Sequence, residues 1–238
     1  MVSRLFSSKA ATPIKLYIDT MSQPCRALDI FLKINKLPYE PINVSLGKFE
    51  HMTEEFEKLN PFKKVPVMDE GGFILTESVA IFRHLCRKYK VAENWYPKDD
   101  VKRARVDEYL EWQHIGVRAP CALYVWAVFF TPTITGQTSS PRQVESRKNS
   151  MIKACDDLND VWLKDKPFVA GQEISFADLL AACEVEELIL TDYNPREGRP
   201  KLAAWLDRVR AETNPYYDEA HERINKLAKK LGAGRAKL

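Results

Sequence analysis

A chain of 238 residues, 45% of them hydrophobic, is long enough for one large or two small domains around a real core. Its formal net charge of +3 argues against nucleic acid as the main partner, since phosphate binding needs a clustered basic surface. No apolar run reads as long enough to span a bilayer, so no membrane is expected. The five cysteines, Cys25, Cys86, Cys121, Cys155 and Cys183, form no CxxC pair and are odd in number. That is the pattern of free thiols in a reducing, cytoplasmic setting rather than a disulfide framework, and no metal site is expected.

Residues 1–12 carry Arg4, Lys9, several serines and no acid. This composition fits a mitochondrial presequence or a short disordered tail, and the tail is the preferred reading. Ile14 to Ile18 alternate as a buried strand, and Ala27, Phe31 and Ile34 fall on one face of a following helix. Leu37-Pro38 breaks the pattern. Ile42, Val44 and Leu46 then alternate as a second strand, and Glu54 to Leu59 is a short charged helix. Val65 to Asp69 and Phe73 to Leu75 flank Glu70-Gly71-Gly72 as a β-hairpin. Val79 to Tyr89 is helical. The order is β-α-β-α-β-β-α over residues 13–90.

Residues 91–100, polar and holding Pro97, read as a linker, and residues 101–238 as an all-α domain. Val101 to Phe130 has a long apolar pattern with a kink expected at Pro120. Thr131 to Pro141 reads as a loop. Met151, Cys155, Leu158 and Trp162 mark a buried helix face. Ser175 and Asp178 have capping-box spacing, with Ile174 placed as a hydrophobic staple. Two more helices start near Lys201 and Tyr217, and Gly232 and Gly234 are expected to break the last one.

Chemistry concentrates at Ser22-Gln23-Pro24-Cys25-Arg26-Ala27. Pro24 suits the first turn of a helix, so Ser22 stands where a strand hands over to a helix. A hydroxyl there, with the free N–H groups and the dipole of the helix, favours an anion; a plain helix cap is the simpler alternative. The run L-Y-I-D-T-M-S-Q-P-C-R-A resembles the N-terminal active-site segment of theta-class glutathione S-transferases. N-P-F-K-K-V-P, L-T-E-S-V-A-I, W-Y-P, R-A-R-V-D-E-Y-L-E-W-Q-H, I-S-F-A-D and G-R-P-K-L-A-A-W extend the resemblance from about Ile14 to about Ile224.

The resemblance implies a thioredoxin-like domain with a mixed sheet, followed by a helical domain, a homodimer, and glutathione as co-substrate. Ser22 is then the hydrogen-bond donor to the glutathione thiolate. Val65-Pro66 matches a cis-proline loop whose backbone pairs with the cysteinyl part of glutathione. Glu77 and Ser78 match the pair that binds its γ-glutamyl end, and His51 and Lys64 match positions near its glycine carboxylate. Arg118 and Trp126 match positions lining the electrophile site. Tyr17 lies near the place of a catalytic tyrosine in other classes, but its alternation with Leu16 and Ile18 turns it to the opposite face. Cys25 inherits the buried position of a thioredoxin CxxC and reads as a packing residue.

The activity so implied is conjugation of glutathione to small electrophiles, with reduction of organic hydroperoxides as an accompanying activity. A non-catalytic binding or scaffold module on the same fold is the alternative, and the intact set of site residues favours the enzyme. A serine hydrolase is not supported, because no G-x-S-x-G is present. The chain ends in a small basic stretch where many theta-class chains continue into a covering segment. An uncovered electrophile site that admits bulkier substrates is therefore expected.

Overall fold

The structure is a computed structural model and describes residues 13–235. The readings of residues 1–12 as a tail or presequence, and of the last three residues, fall outside the described residues.

Four strands form one sheet in the order β2-β1-β3-β4. They are β1 Ile14–Ile18, β2 Tyr39–Asn43, β3 Val67–Glu70 and β4 Phe73–Thr76, interleaved with helices α1 Gln23–Ile34, α2 Glu54–Leu59 and α3 Ser78–Lys88. β1 pairs parallel with β2 and antiparallel with β3, so the sheet is mixed, and the expected order β-α-β-α-β-β-α is the one observed. The β3–β4 hairpin turns on Gly71 and Gly72, both at positive φ (64° and 91°), which glycine adopts without steric cost.

The second strand departs from its expected place. Tyr39–Asn43 pairs with β1, whereas Leu46 opens a short 3-10 turn, Leu46–Lys48. Pro41 is tolerated because β2 is an edge strand. The register with β1 decides the strand, and the alternation of Ile42, Val44 and Leu46 does not.

The helical part comprises α4 Asp100–Gln113, α5 Ala119–Val125, α6 Thr131–Thr135, α7 Pro141–Asp157, α8 Phe176–Glu186, α9 Pro200–Thr213 and α10 Tyr216–Arg235. α4 to α6 form one continuous helix, Asp100–Thr135, which overturns the loop expected from Thr131 as far as Thr135 and carries the helix past Pro120, the place of the expected kink. Two π-helical turns, His114–Arg118 and Trp126–Phe130, each end two residues before a proline, Pro120 and Pro132. In each, an N–H bonds the carbonyl five residues back, Ala119 to His114 and Thr131 to Trp126. The wider turn carries the backbone past the position where proline has no N–H to give. Thr133 and Thr135 then donate their hydroxyls to Phe129 and Thr131 carbonyls at 2.6 and 2.7 Å, holding the threonine-rich end helical.

By length and composition this helix is apolar enough to cross a membrane, contrary to the reading of the sequence. In the fold one face of it, with Val106, Tyr109, Leu110, Val117, Cys121, Val125 and Phe129, is buried against α7 and α8, while Ile115, Leu123, Trp126 and Ile134 are exposed.

α1 is buried on every side from Pro24 to Leu32 rather than on one face. It lies between α3 on one side and α8 and α10 on the other. Phe31 meets Phe82, Trp95 and Phe176 edge-on at 5.2, 5.8 and 5.6 Å, and Phe82 stacks on Phe176 at 4.1 Å. Aromatic packing of this kind joins the two parts through an apolar seam. α10 continues through Gly232 and Gly234 to Arg235. The expected glycine break is therefore absent.

Candidate active site

The register of the sheet gathers the candidate residues at one edge. β1 and β2 end together, with Ile18 beside Asn43. β3 begins at Val67 opposite Tyr17, and β4 ends at Thr76 opposite Val67. The chain thus leaves β1 toward Ser22, leaves β2 toward His51, enters β3 from Lys64-Val65-Pro66 and leaves β4 into Glu77-Ser78, all at that edge. α1 and α3 start there, and two helix N-termini make the edge favourable to anions.

Ser22 is the N-cap of α1, in extended backbone (φ −89°, ψ 123°), and its hydroxyl makes no capping bond to the helix. The turn that holds it closes by Ser22 N–H donating to the Asp19 carbonyl at 2.8 Å. Cys25, one turn on, is fully buried, and burial pushes its thiol up to about 12 despite a hydrogen bond from Ser22 that favours the thiolate. It stays a neutral thiol near pH 7 and is no nucleophile, in line with a packing role. Tyr17 shares the face of β1 with exposed Lys15, opposite buried Leu16 and Ile18.

Val65-Pro66 is a cis peptide, held in front of β3. The loop before it is shaped by buried Asn60, which donates to the Lys64 carbonyl at 2.7 Å and accepts from Phe62 N–H at 3.0 Å. Lys64 itself is exposed. His51 sits in the 3-10 turn Glu50–Met52, and its Nδ1 is buried with no protein partner among the described residues. Burial lowers its pKa below the ordinary histidine value, against a smaller opposing pull from Asp19. Glu77 takes φ 66°, ψ 114° as the N-cap of α3, a region that residues with a side chain rarely occupy. It presents an exposed carboxylate beside half-buried Ser78.

Arg118 and Trp126 lie on the long helix, in its first and second π turns. Arg118 Nη1 donates to Glu184 Oε1 at 2.8 Å, so its charge is partly held by a fully buried carboxylate on α8. Burial raises the Glu184 carboxyl to about 7, against the lowering effect of Arg118. Trp126 is half exposed and tilts against Phe130 at 5.1 Å.

Two family models match the chain, the N-terminal domain of glutathione S-transferases over residues 12–87 and the C-terminal domain over residues 124–213. The theta-1 glutathione S-transferase of Bos taurus is 44% identical over 214 residues, spanning 90% of this chain and 89% of that one. This chain belongs to the theta-class glutathione S-transferases. The fold is shared with a human theta-class transferase in complex with the glutathione conjugate of 1-menaphthyl sulfate, at TM-score 0.88 and 38% identity over 94% of this chain and 91% of that one. It is shared equally with human glutathione transferase theta-2 in complex with glutathione and an unknown ligand, at TM-score 0.87 and 38% identity over 93% and 91%.

The sequence reading of this transferase passed over a second layer behind Ser22. Arg26 is fully buried. Its Nη1 donates to the Thr20 carbonyl at 2.7 Å, and its Nη2 to the Cys183 carbonyl at 2.9 Å and to Glu187 Oε2 at 2.5 Å. Asp19, also fully buried, accepts from Met21 N–H and Leu46 N–H, both at 2.9 Å, and from Arg223. An arginine and an aspartate bracketing the serine were the only signal in the sequence, and their partners are far away in the chain.

Proposed function

We propose that this theta-class transferase joins the sulfur of glutathione to small electrophiles, with Ser22 donating a hydrogen bond to the bound thiolate. The carrying observation is that the Ser22 hydroxyl stands at the start of α1 without capping it. A thiol such as that of glutathione has a pKa of about 8.5, so only a few per cent is thiolate at pH 7. Lowering it by about two units takes roughly 2.7 kcal/mol of selective anion stabilisation. A hydroxyl donor and a helix N-terminus together are suited to that. The thiolate then forms the S–C bond as the electrophile's leaving group departs with its electron pair. Ser22 stabilises the charge and forms no covalent bond.

The rest of the sheet edge serves the remainder of glutathione in this reading. The backbone of Val65, fixed ahead of Pro66, pairs with the cysteinyl unit. Ser78 and the α3 N-terminus take the γ-glutamyl carboxylate, and Glu77 takes its ammonium. Lys64 offers a point charge to the glycine carboxylate, with His51 as a neutral donor beside it. Trp126 supplies apolar surface to the electrophile, and Arg118, released in part from Glu184, a cation. The working form is a cytoplasmic homodimer, in keeping with closed two-fold dimers as the commonest soluble assembly. Sedimentation as a monomer at micromolar concentration would end that part.

The test is a titration of thiolate ultraviolet absorbance in the glutathione complex. Ser22→Ala should raise the apparent thiol pKa by about two units and leave glutathione affinity nearly intact. An unchanged pKa in that variant overturns the role of Ser22.

A further inference from the structure

We propose that Arg223 on α10 is a positioning residue for Ser22 and acts through Asp19; the proposal rests on Ser22 being the donor to the thiolate. Asp19 is the pivot of the site's backbone. Its carbonyl receives Ser22 N–H at 2.8 Å. Its Oδ1 receives Met21 N–H at 2.9 Å, which closes the turn on the Ser22 side. Its Oδ2 receives Leu46 N–H at 2.9 Å, which ties in the segment leading to His51. One carboxylate therefore fixes both walls of the edge where the sulfur and the glycine end would lie.

Asp19 is fully buried, and two backbone donors do not neutralise a buried charge. The cation that pairs with it is Arg223, whose Nη1 donates to Oδ1 from a point 204 residues along the chain. α10 reaches Lys33 near the C-terminal end of α1 through Glu219, at 3.2 Å, and Asp19 ahead of its N-terminal end through Arg223. The last helix is thus laid antiparallel along α1, with its guanidinium clamped on the turn that carries Ser22. The two partners differ in exposure: the Asp19 side chain is at 0% and that of Arg223 at 47%. Removing the Arg223 guanidinium leaves a gap on the solvent side rather than in the core, but it leaves Asp19 buried with backbone donors alone, as loss of Arg26 would leave Glu187.

Arg223 can reach the thiolate in two ways: by keeping the Ser22 hydroxyl aimed, or by its own field at the sulfur. The full-length enzyme with glutathione bound separates them. Arg223→Met, Ser22→Ala and the double variant are titrated by thiolate absorbance, with kcat and KM for glutathione measured alongside. Arg223→Met should raise the thiol pKa by about half a unit and lower kcat below that pKa about threefold, while KM moves less than twofold, the pattern of an effect on the reacting atom. Its urea midpoint should fall, because Asp19 is left as a buried carboxylate with backbone donors alone, and the titrations are therefore run without denaturant on enzyme shown to be folded. In the Ser22→Ala background the same substitution should add nothing.

A pKa unmoved by Arg223→Met while Ser22→Ala raises it overturns the positioning role alone. Equal shifts in both backgrounds overturn it in favour of a direct field. No shift in Ser22→Ala itself ends both this proposal and the reading it rests on.

Discussion

Three α-helices among the described residues are N-capped by a serine, Ser22 on α1, Ser140 on α7 and Ser175 on α8, and Ser22 and Ser175 have different fates. Ser22 opens α1 and Ser175 opens α8, both in extended backbone, and the two helices pack on each other. At Ser175 the capping box is closed. Asp178 Oδ2 accepts from Ser175 N–H at 2.9 Å and from its hydroxyl at 3.0 Å, while Oδ1 accepts from Val169 N–H at 2.8 Å and Trp205 Nε1 at 2.9 Å. At Ser22 the residue three positions on is Cys25, a neutral buried thiol that cannot complete such a box. The difference is one of S-x-x-D against S-x-x-C. An acid in the fourth place ties the serine to the fold through charge-assisted bonds, whereas the neutral thiol there holds the Ser22 hydroxyl only by a weak contact that a bound anion can replace.

The sharpest way to break the closed cap is Asp178→Ala. It leaves buried Trp205 Nε1 and Val169 N–H without acceptors, and each buried orphan costs about 1 to 3 kcal/mol. A total loss of about 3 to 4 kcal/mol is expected from urea unfolding, with glutathione affinity of the folded fraction unchanged. A loss under 1 kcal/mol would mean that the box does not hold α8.

α8 repeats the contrast at its other end. Asp178 receives four hydrogen bonds, whereas Glu184 has Arg118 on Oε1 and nothing on Oε2 among the described residues. Its carboxyl, raised from 4.5 to about 7 by burial, keeps its proton in the fold after the unfolded chain has lost it. Stability therefore falls as pH rises from about 4.5 to about 7 and is level beyond. Glu184→Gln removes this dependence. Relative to the parent chain it should gain about 3 kcal/mol across that window, read as the difference between two urea series. No difference between the series would show that Arg118 keeps the carboxylate ionised throughout.

What could be read from sequence divides along the same line, between chemistry settled by near neighbours and chemistry settled across the fold. The β1–α1 junction, the Gly71-Gly72 hairpin and the Ser175–Asp178 box were legible because each is fixed within a few residues. β2 was misplaced because pairing with β1 fixes its register. The helix Asp100–Thr135 was ended too early, at Phe130, because the π turn that carries it past Pro132 is not written in local propensity. At the site, Ser22, Lys64, Val65-Pro66 and Glu77-Ser78 came from the resemblance, and the sheet register brings them to one edge. The layer behind was illegible for a plain reason: Arg26 meets Glu187 across 161 residues, and Asp19 meets Arg223 across 204.

A milder cut at the closed cap is Ser175→Ala. Asp178 keeps its two backbone bonds and Trp205, so only the hydroxyl's share is lost. That share is about 1 kcal/mol for a serine cap, visible as a lowered urea midpoint with an unchanged slope.

The smallest effect belongs to the matching substitution at the other cap. Serine-to-alanine changes at helix starts cost about 0.5 to 2 kcal/mol when the hydroxyl caps the helix. The Ser22 hydroxyl does not cap α1, and the Ser22 turn is closed instead by backbone N–H groups on Asp19. The Cys25 thiol beside it is neutral, so losing the contact removes no charge-assisted bond. Ser22→Ala should therefore leave the urea midpoint of the glutathione-free protein unmoved, to within about 0.3 kcal/mol. The same variant should shift the thiol titration more than any other single change at this edge. A stability loss at Ser22 equal to that at Ser175 would make the two serines equivalent caps and remove the reason for assigning chemistry to one of them.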